Sequence, residues 1–201
     1  MKENIAEFEN QFRFRYLAHN DFESEEERAR VLDLGLAKWR RGAVSKDAVE
    51  LGRRFACEID GAHLAPMSIR WVSGVVGHGA FAGEDLAEGA WIGEYTGVVR
   101  ENDRRYLEPM NHYCYEYPVP DAIGRSFVID ATQGNLTRFI NHSREPNLKP
   151  KYAFKEGMYH CIFLALCPIA KGAQLTYDYG QSYWYVREPP ETLPETLPET
   201  L

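Results

Sequence analysis

The residues best suited to chemistry are a group of tyrosines and one histidine. Tyr113, Tyr115 and Tyr117 alternate in one run, and Tyr177 and Tyr179 form a second pair, in a chain that holds 12 tyrosines among 201 residues. Tyrosine walls strip water from an aliphatic chain, offer a π face to a cation and present a hydroxyl that can orient an amine. His142, in Asn141-His142-Ser143, is the base that a reading of isolated residues would choose. No supported nucleophile and base set accompanies it, which argues against a hydrolase. Gly77-His78-Gly79 is a two-glycine turn without the GxGxxG pattern of a dinucleotide site, and the chain has no GxxxxGK[ST] phosphate loop. Cys57, Cys114, Cys161 and Cys167 show neither a CxxC pair nor a zinc-finger cadence, so they are expected to be reduced, mostly buried thiols, and no metal is expected.

The elements that must position these residues differ along the chain. Asn20 and Asp21 precede an acidic stretch, Glu23 to Glu27, after which apolar residues recur at helical spacing toward Arg40 and Arg41. A second helix is expected from an N-cap at Ser45 through Ala48, Leu51 and Phe55 toward Ile59. These two helices, within an extension over residues 1–66, are expected to pack on the domain and extend its core. From Ser68 the texture changes to short strand-like runs: 69–72, 75–76, 90–99, 113–117, 127–130, 159–166 and 175–177. The pattern predicts a mainly β fold, with the nearly all-apolar segment 158–166 as a central strand. The Glu-Thr-Leu-Pro repeats over 191–201 predict an extended, disordered acidic tail.

Length allows one sizeable core. With 30 acidic and 23 basic residues the formal charge is -7, a balance that suits a basic peptide partner and not a nucleic-acid backbone. No apolar run approaches membrane-spanning length and no classical export leader opens the chain. A soluble, cytoplasmic or nuclear protein is expected, with delivery to a host nucleus an open route if the source is bacterial.

Four segments in order carry a family resemblance. They are Val76–Ala82 with Gly89–Gly97, which ends Glu-Tyr-x-Gly; the aromatic run Tyr113–Tyr117; Ile129–Ser143, which includes Arg138-Phe139-Ile140-Asn141-His142-Ser143; and Gly172–Gly180, which ends Leu-Thr-Tyr-Asp-Tyr-Gly. Over about residues 67–180 the chain resembles the SET domain of protein-lysine methyltransferases, especially compact stand-alone SET proteins of bacteria and viruses. Gln174 stands where that family usually has Glu. The resemblance implies small curved β-sheets around a C-terminal pseudoknot, S-adenosylmethionine on one face and an acceptor lysine entering from the other.

It also implies roles. Tyr179 would orient the lysine nitrogen beside the departing methyl without acting as a strong base, because a phenol ionises near pH 10. Tyr113 would line the lysine channel, with Tyr115 and Tyr117 the alternatives in register. Tyr177 would limit the number of methyl groups and favour monomethylation. Gly77, His78 and Gly79 would approach the cofactor through the backbone, with Tyr95 packing nearby, Asn141 binding its amino group and His142 meeting the adenine. Arg138 would support the cofactor loop through an ion pair, for which Glu94 is the candidate. The segment 181–190 would close the site, with Trp184 over the adenine and Tyr183 and Tyr185 as alternatives; packing of these aromatics on the N-terminal helices is the competing expectation. The substrate would add as a strand along Asn111–Arg125, where Glu116 and Asp121 could attract its basic residues.

The cysteine clusters that flank many histone methyltransferases are absent from this chain, hence the expectation of no zinc. The implied substrate is a lysine of a histone tail or a histone-like basic protein. A non-histone target and a non-catalytic peptide-binding module are the alternatives, and a homodimer through the N-terminal helices stays open.

Overall fold

A computed structural model describes residues 2–102, 111–119 and 124–184. Asp121, Tyr185 and the repeat tail therefore lie outside the described residues. The fold is mixed α/β, with N-terminal helices packed on a sheet-rich core, which corrects the mainly β expectation.

The sequence pattern missed the first helix, α1 (Lys2–Phe12), although its Ile5, Phe8 and Phe12 fall on one helical stripe. The second, α2 (Glu25–Arg40), is capped by Ser24, whose hydroxyl accepts from the Glu27 N–H, with Glu25, Glu26 and Glu27 in the first turn and Lys38 and Arg40 in the last. Asp21–Phe22 forms a short strand, β1, so the helix begins later than the Asn20-Asp21 signal suggested. Ser45 caps α3 (Lys46–Arg54) by accepting from the Ala48 N–H, and a break at Phe55 leads into a separate short helix, α4 (Ala56–Asp60).

Eleven strands are described: β2 (Met67–Ser73), β3 (Gly77–Ala82), β4 (Trp91–Glu94), β5 (Val98–Glu101), β6 (Cys114–Tyr117), β7 (Phe127–Asp130), β8 (Asn141–His142), β9 (Leu148–Lys155), β10 (Met158–Ala165) and β11 (Thr176–Tyr177) follow β1. They form four small sheets, ordered β1-β5-β7-β6, β4-β10-β9, β11-β8 and β2-β3. The single run expected over 90–99 is broken at Tyr95-Thr96-Gly97, where the chain passes from one sheet to another. A Cβ at Gly97 would lie 2.5 Å from the Asp130 carbonyl oxygen, so the crossing requires glycine. Val75 and Val76 fall in a turn instead of a strand, and Gly77-His78-Gly79, expected as a turn, opens the strand Gly77–Ala82. β9 went unread because Lys149, Pro150 and Lys151 interrupt its apolar pattern; it is an edge strand, where proline is tolerated.

Strand β10 is the centre of its sheet, and both of its faces are covered. Ile162 and Leu164 pack with Leu51, Phe55 and Ile59 of the helical region, while Cys161, Phe163 and Ala165 belong to the main core. This two-sided burial explains why the segment is apolar without alternation. Two glycines let the helices approach so closely: a Cβ at Gly35 would lie 1.9 Å from the Gly157 carbonyl oxygen, and one at Gly52 would lie 2.0 Å from that of Phe154. Among the cysteines only Cys161 is buried; Cys57 and Cys167 are exposed because they sit in a short surface helix and after the end of β10.

Candidate active site

The site is built where β8 and β11 lie side by side. They pair in parallel, with Thr176 beside Asn141 and Tyr177 beside His142, although 35 residues separate them. Asn147 locks the pair: its Nδ2 donates to the Gln174 carbonyl at 2.8 Å and its Oδ1 accepts from the Thr176 N–H at 2.9 Å. The Ser143 N–H donates to the Tyr177 carbonyl at 3.1 Å. The two motifs that were separate in the sequence thus become one surface.

Two cavities share an aromatic wall. The larger has a volume of about 560 Å³ and the smaller about 270 Å³, and Tyr95, His112, Tyr177, Tyr179 and Tyr183 line both. The Tyr177 ring packs 4.9 Å from Phe163 and 4.7 Å from Tyr179. The Tyr179 hydroxyl donates to the Ile140 carbonyl at 3.1 Å, and its ring meets Tyr183 at 4.6 Å. The Tyr95 hydroxyl donates to the Tyr113 carbonyl at 2.7 Å.

Gly77, His78, Tyr113, Arg138, Asn141, His142 and Trp184 also line the larger cavity. Gly79 lies behind it: the Asn141 Nδ2 donates to the His78 carbonyl at 3.2 Å, and a Cβ at Gly79 would come within 2.9 Å of that amide. Trp184 meets His142 edge-on at 4.9 Å and stacks with Tyr179 at 6.3 Å, so it joins the site and not the N-terminal helices. Tyr183 touches both cavities, and its hydroxyl lies 3.2 Å from the His112 Nδ1.

Arg138 corrects the expected ion pair. Glu94 is already engaged by the His160 Nδ1 at 2.8 Å and the Asn20 Nδ2 at 3.1 Å. The Arg138 guanidinium lies instead over the rings of Tyr113 at 4.1 Å and Phe14 at 4.6 Å, and its buried Nε has no hydrogen-bond partner among the described residues. Burial lowers its pKa, yet a guanidinium stays charged in proteins. A cavity wall with a charged orphan donor beside flat aromatic faces fits a ligand that carries a carboxylate and a heteroaromatic ring.

Tyr115 and Tyr152 line the smaller cavity along with Cys114, Glu116 and Arg100. Tyr113 lines the larger cavity and not the smaller one. Strand β6 spans Cys114–Tyr117, and Tyr117 is buried in the core. The sequence reading missed Tyr152, Arg100 and His112. Arg100 is buried against Asp130, with its Nε at 3.0 Å and its Nη2 at 2.8 Å from the carboxylate.

The tyrosines of the wall are not strong bases. Burial raises the pKa of Tyr95, Tyr115, Tyr152, Tyr177 and Tyr179, so all keep their protons near neutral pH. Burial lowers that of His142, against the opposing pull of Asp178, and its Nδ1 accepts from the Tyr179 N–H at 3.2 Å. The ring is therefore neutral and structural, with its proton on Nε2.

Comparison with known proteins matches residues 77–180 to the SET domain. The chain is 36% identical over 113 residues to the histone-lysine N-methyltransferase trithorax of Drosophila virilis, a stretch that covers 53% of this chain and 3% of that protein. It is 36% identical over 112 residues to the histone-lysine N-methyltransferase Set8 of Drosophila pseudoobscura pseudoobscura, covering 52% of this chain and 16% of that one. Among solved structures, that of the Chaetomium thermophilum polycomb repressive complex 2 aligns with a TM-score of 0.52 at 27% identity, over 61% of this chain and 16% of the matched chain. The chain thus spans only a small part of the relatives it matches.

Proposed function

The chain belongs to the SET-domain family, and from that premise we propose that it transfers a methyl group from S-adenosylmethionine to the side-chain amine of a protein lysine. The observation that carries this reading is the pair of cavities that share one tyrosine wall. Two substrates held against one shared wall are brought close enough to react.

The larger cavity takes the cofactor. Arg138 offers its unpartnered donor to the carboxylate, Asn141 and the backbone at Gly77 and His78 bind the amino acid part, and His142 and Trp184 flank the adenine. Bound there, S-adenosylmethionine supplies a sulfonium methyl open to in-line attack by an amine.

The smaller cavity takes the lysine. Tyr115 and Tyr152 desolvate its aliphatic stem, and the hydroxyls of Tyr177 and Tyr179 orient its nitrogen. An amine drawn out of water between neutral phenols loses its proton more readily, and the phenols, which are not strong bases, leave that proton to water. Tyr177 holds a hydroxyl beside the nitrogen and leaves little room for an amine that already carries a methyl, so a single methylation is favoured. The substrate is a histone or a histone-like basic protein, which suits the chain's charge of -7, and it docks as a strand along β6. In this reading residues 67–180 are the catalytic domain, 1–66 its helical extension and 181–190 the cover of the site. The parallel β8–β11 pair supports a pseudoknot at its centre.

The test is incubation of the purified chain with labelled S-adenosylmethionine and separated core histones or a cell lysate, with the product mapped by mass spectrometry. Label on a histone lysine, reduced by about 100-fold or more in Tyr179→Phe, is expected for a lost orienting hydroxyl. Cofactor binding without transfer to any protein would contradict the proposal.

A further inference from the structure

Among the described residues, strand β6 is an edge of its sheet. The Ala131 N–H donates to the Tyr113 carbonyl at 3.0 Å, and Tyr115 stands opposite Ile129, so the odd-numbered residues turn their main-chain groups toward β7. Antiparallel alternation then turns those of Glu116 to the open side. That edge is closed at its far end. The Tyr152 hydroxyl donates to the Glu116 carbonyl at 2.7 Å, and the Lys38 Nζ donates to the Pro118 carbonyl at 2.8 Å. Pro118 has no N–H to offer.

Both caps are held in place by aromatic contacts. The Tyr152 ring packs edge-on against Tyr115 and Tyr159, and the Lys38 ammonium lies 5.0 Å over the Tyr159 ring. Lysine and proline at a strand edge are the residues that prevent a further strand from pairing. Lys38 comes from α2 and Tyr152 from β9, so two elements outside the docking strand decide where docking stops.

We infer that Tyr152 and Lys38 end the substrate-docking edge of β6, so that the chain reads substrate residues on one side of the acceptor lysine and not on the other. The inference rests on the proposed lysine methylation, with the substrate lying along β6. It makes Tyr152 and Lys38 specificity-determining residues and gives the helical extension a part in recognition.

The experiment uses the full chain and synthetic core-histone tail peptides centred on the lysine that the wild type modifies, shortened from either end, with kcat and KM measured for labelled transfer. In the wild type, shortening from one end is expected to leave KM unchanged within about twofold, and from the other to raise it about fivefold, the scale of a lost main-chain hydrogen bond. In Lys38→Met and Tyr152→Phe, the previously silent end should begin to matter, with the long peptide's KM falling about threefold relative to the short one's while the ratio of their kcat values stays constant. Because each ratio is taken within one variant, any effect of Tyr152 on the chemistry cancels. Equal sensitivity to both ends in the wild type, or an unaltered length ratio in both variants, overturns the inference while leaving the methylation reading intact; a change in one variant alone overturns the role of the other residue. A wild type that modifies no lysine in any histone or lysate protein defeats the methylation reading, and this inference with it.

Discussion

Tyr177 and Tyr179 stand two residues apart and face the same wall, but their surroundings divide their work. Tyr179 is tied to Ile140 through its hydroxyl and to His142 through its N–H, whereas Tyr177 is packed between Phe163 and Tyr179. Replacing Tyr177 with Phe removes a hydroxyl and adds no bulk, so the products on a lysine peptide should shift from one methyl toward two or three, which mass spectrometry reads directly. His142 predicts a pH effect. Its folded pKa lies below the ordinary value of about 6.5. Stability from the neutral ring is therefore complete above that value and is lost as the pH falls through the lowered pKa. Cofactor affinity measured by calorimetry should weaken as the pH falls through that lowered pKa in the wild type and stay flatter in His142→Gln. Most residues of the larger cavity were readable because they sit in the motifs around Gly77, Asn141 and Tyr179. Tyr152, Arg100 and His112 were not, because nothing local to them marks a site; they reach it only through the pairing of β9 with β10 and of β5 and β6 with β7.

At the scale of elements, the helices are joined to the sheet by glycine. Gly52 brings α3 onto β9 so closely that a methyl group would strike the Phe154 carbonyl, a backbone atom that cannot swing aside. Gly52→Ala should cost about 1–3 kcal/mol, as overpacking does, and a denaturant melt followed by circular dichroism would measure it. No change in midpoint would mean that α3 is only loosely attached. The sequence marked α2 and α3 through their acidic starts and the Ser45 cap, because caps are local chemistry. It marked most strands of the core through their apolar runs. It missed α1, whose stripe is thin, and β9, whose lysines and proline look like a loop until β10 supplies a partner.

In the whole molecule, the two faces of β10 join the helical region to the site: Ile162 and Leu164 bury α3 and α4, while Cys161 and Phe163 back the tyrosine wall. The extension is thus part of the same packed body as the cavities, and Lys38 carries its influence to the edge of β6. The central claim is that the larger cavity holds the cofactor and the smaller one the amine, with Tyr177 and Tyr179 between them. The most direct measurement is a crystal structure of the chain with S-adenosylhomocysteine and a lysine peptide bound. The account predicts the cofactor's carboxylate at Arg138, its ring system beside His142 and Trp184, and the lysine nitrogen at the hydroxyls of Tyr177 and Tyr179. A lysine that enters elsewhere, or a cofactor seated outside the larger cavity, would contradict it.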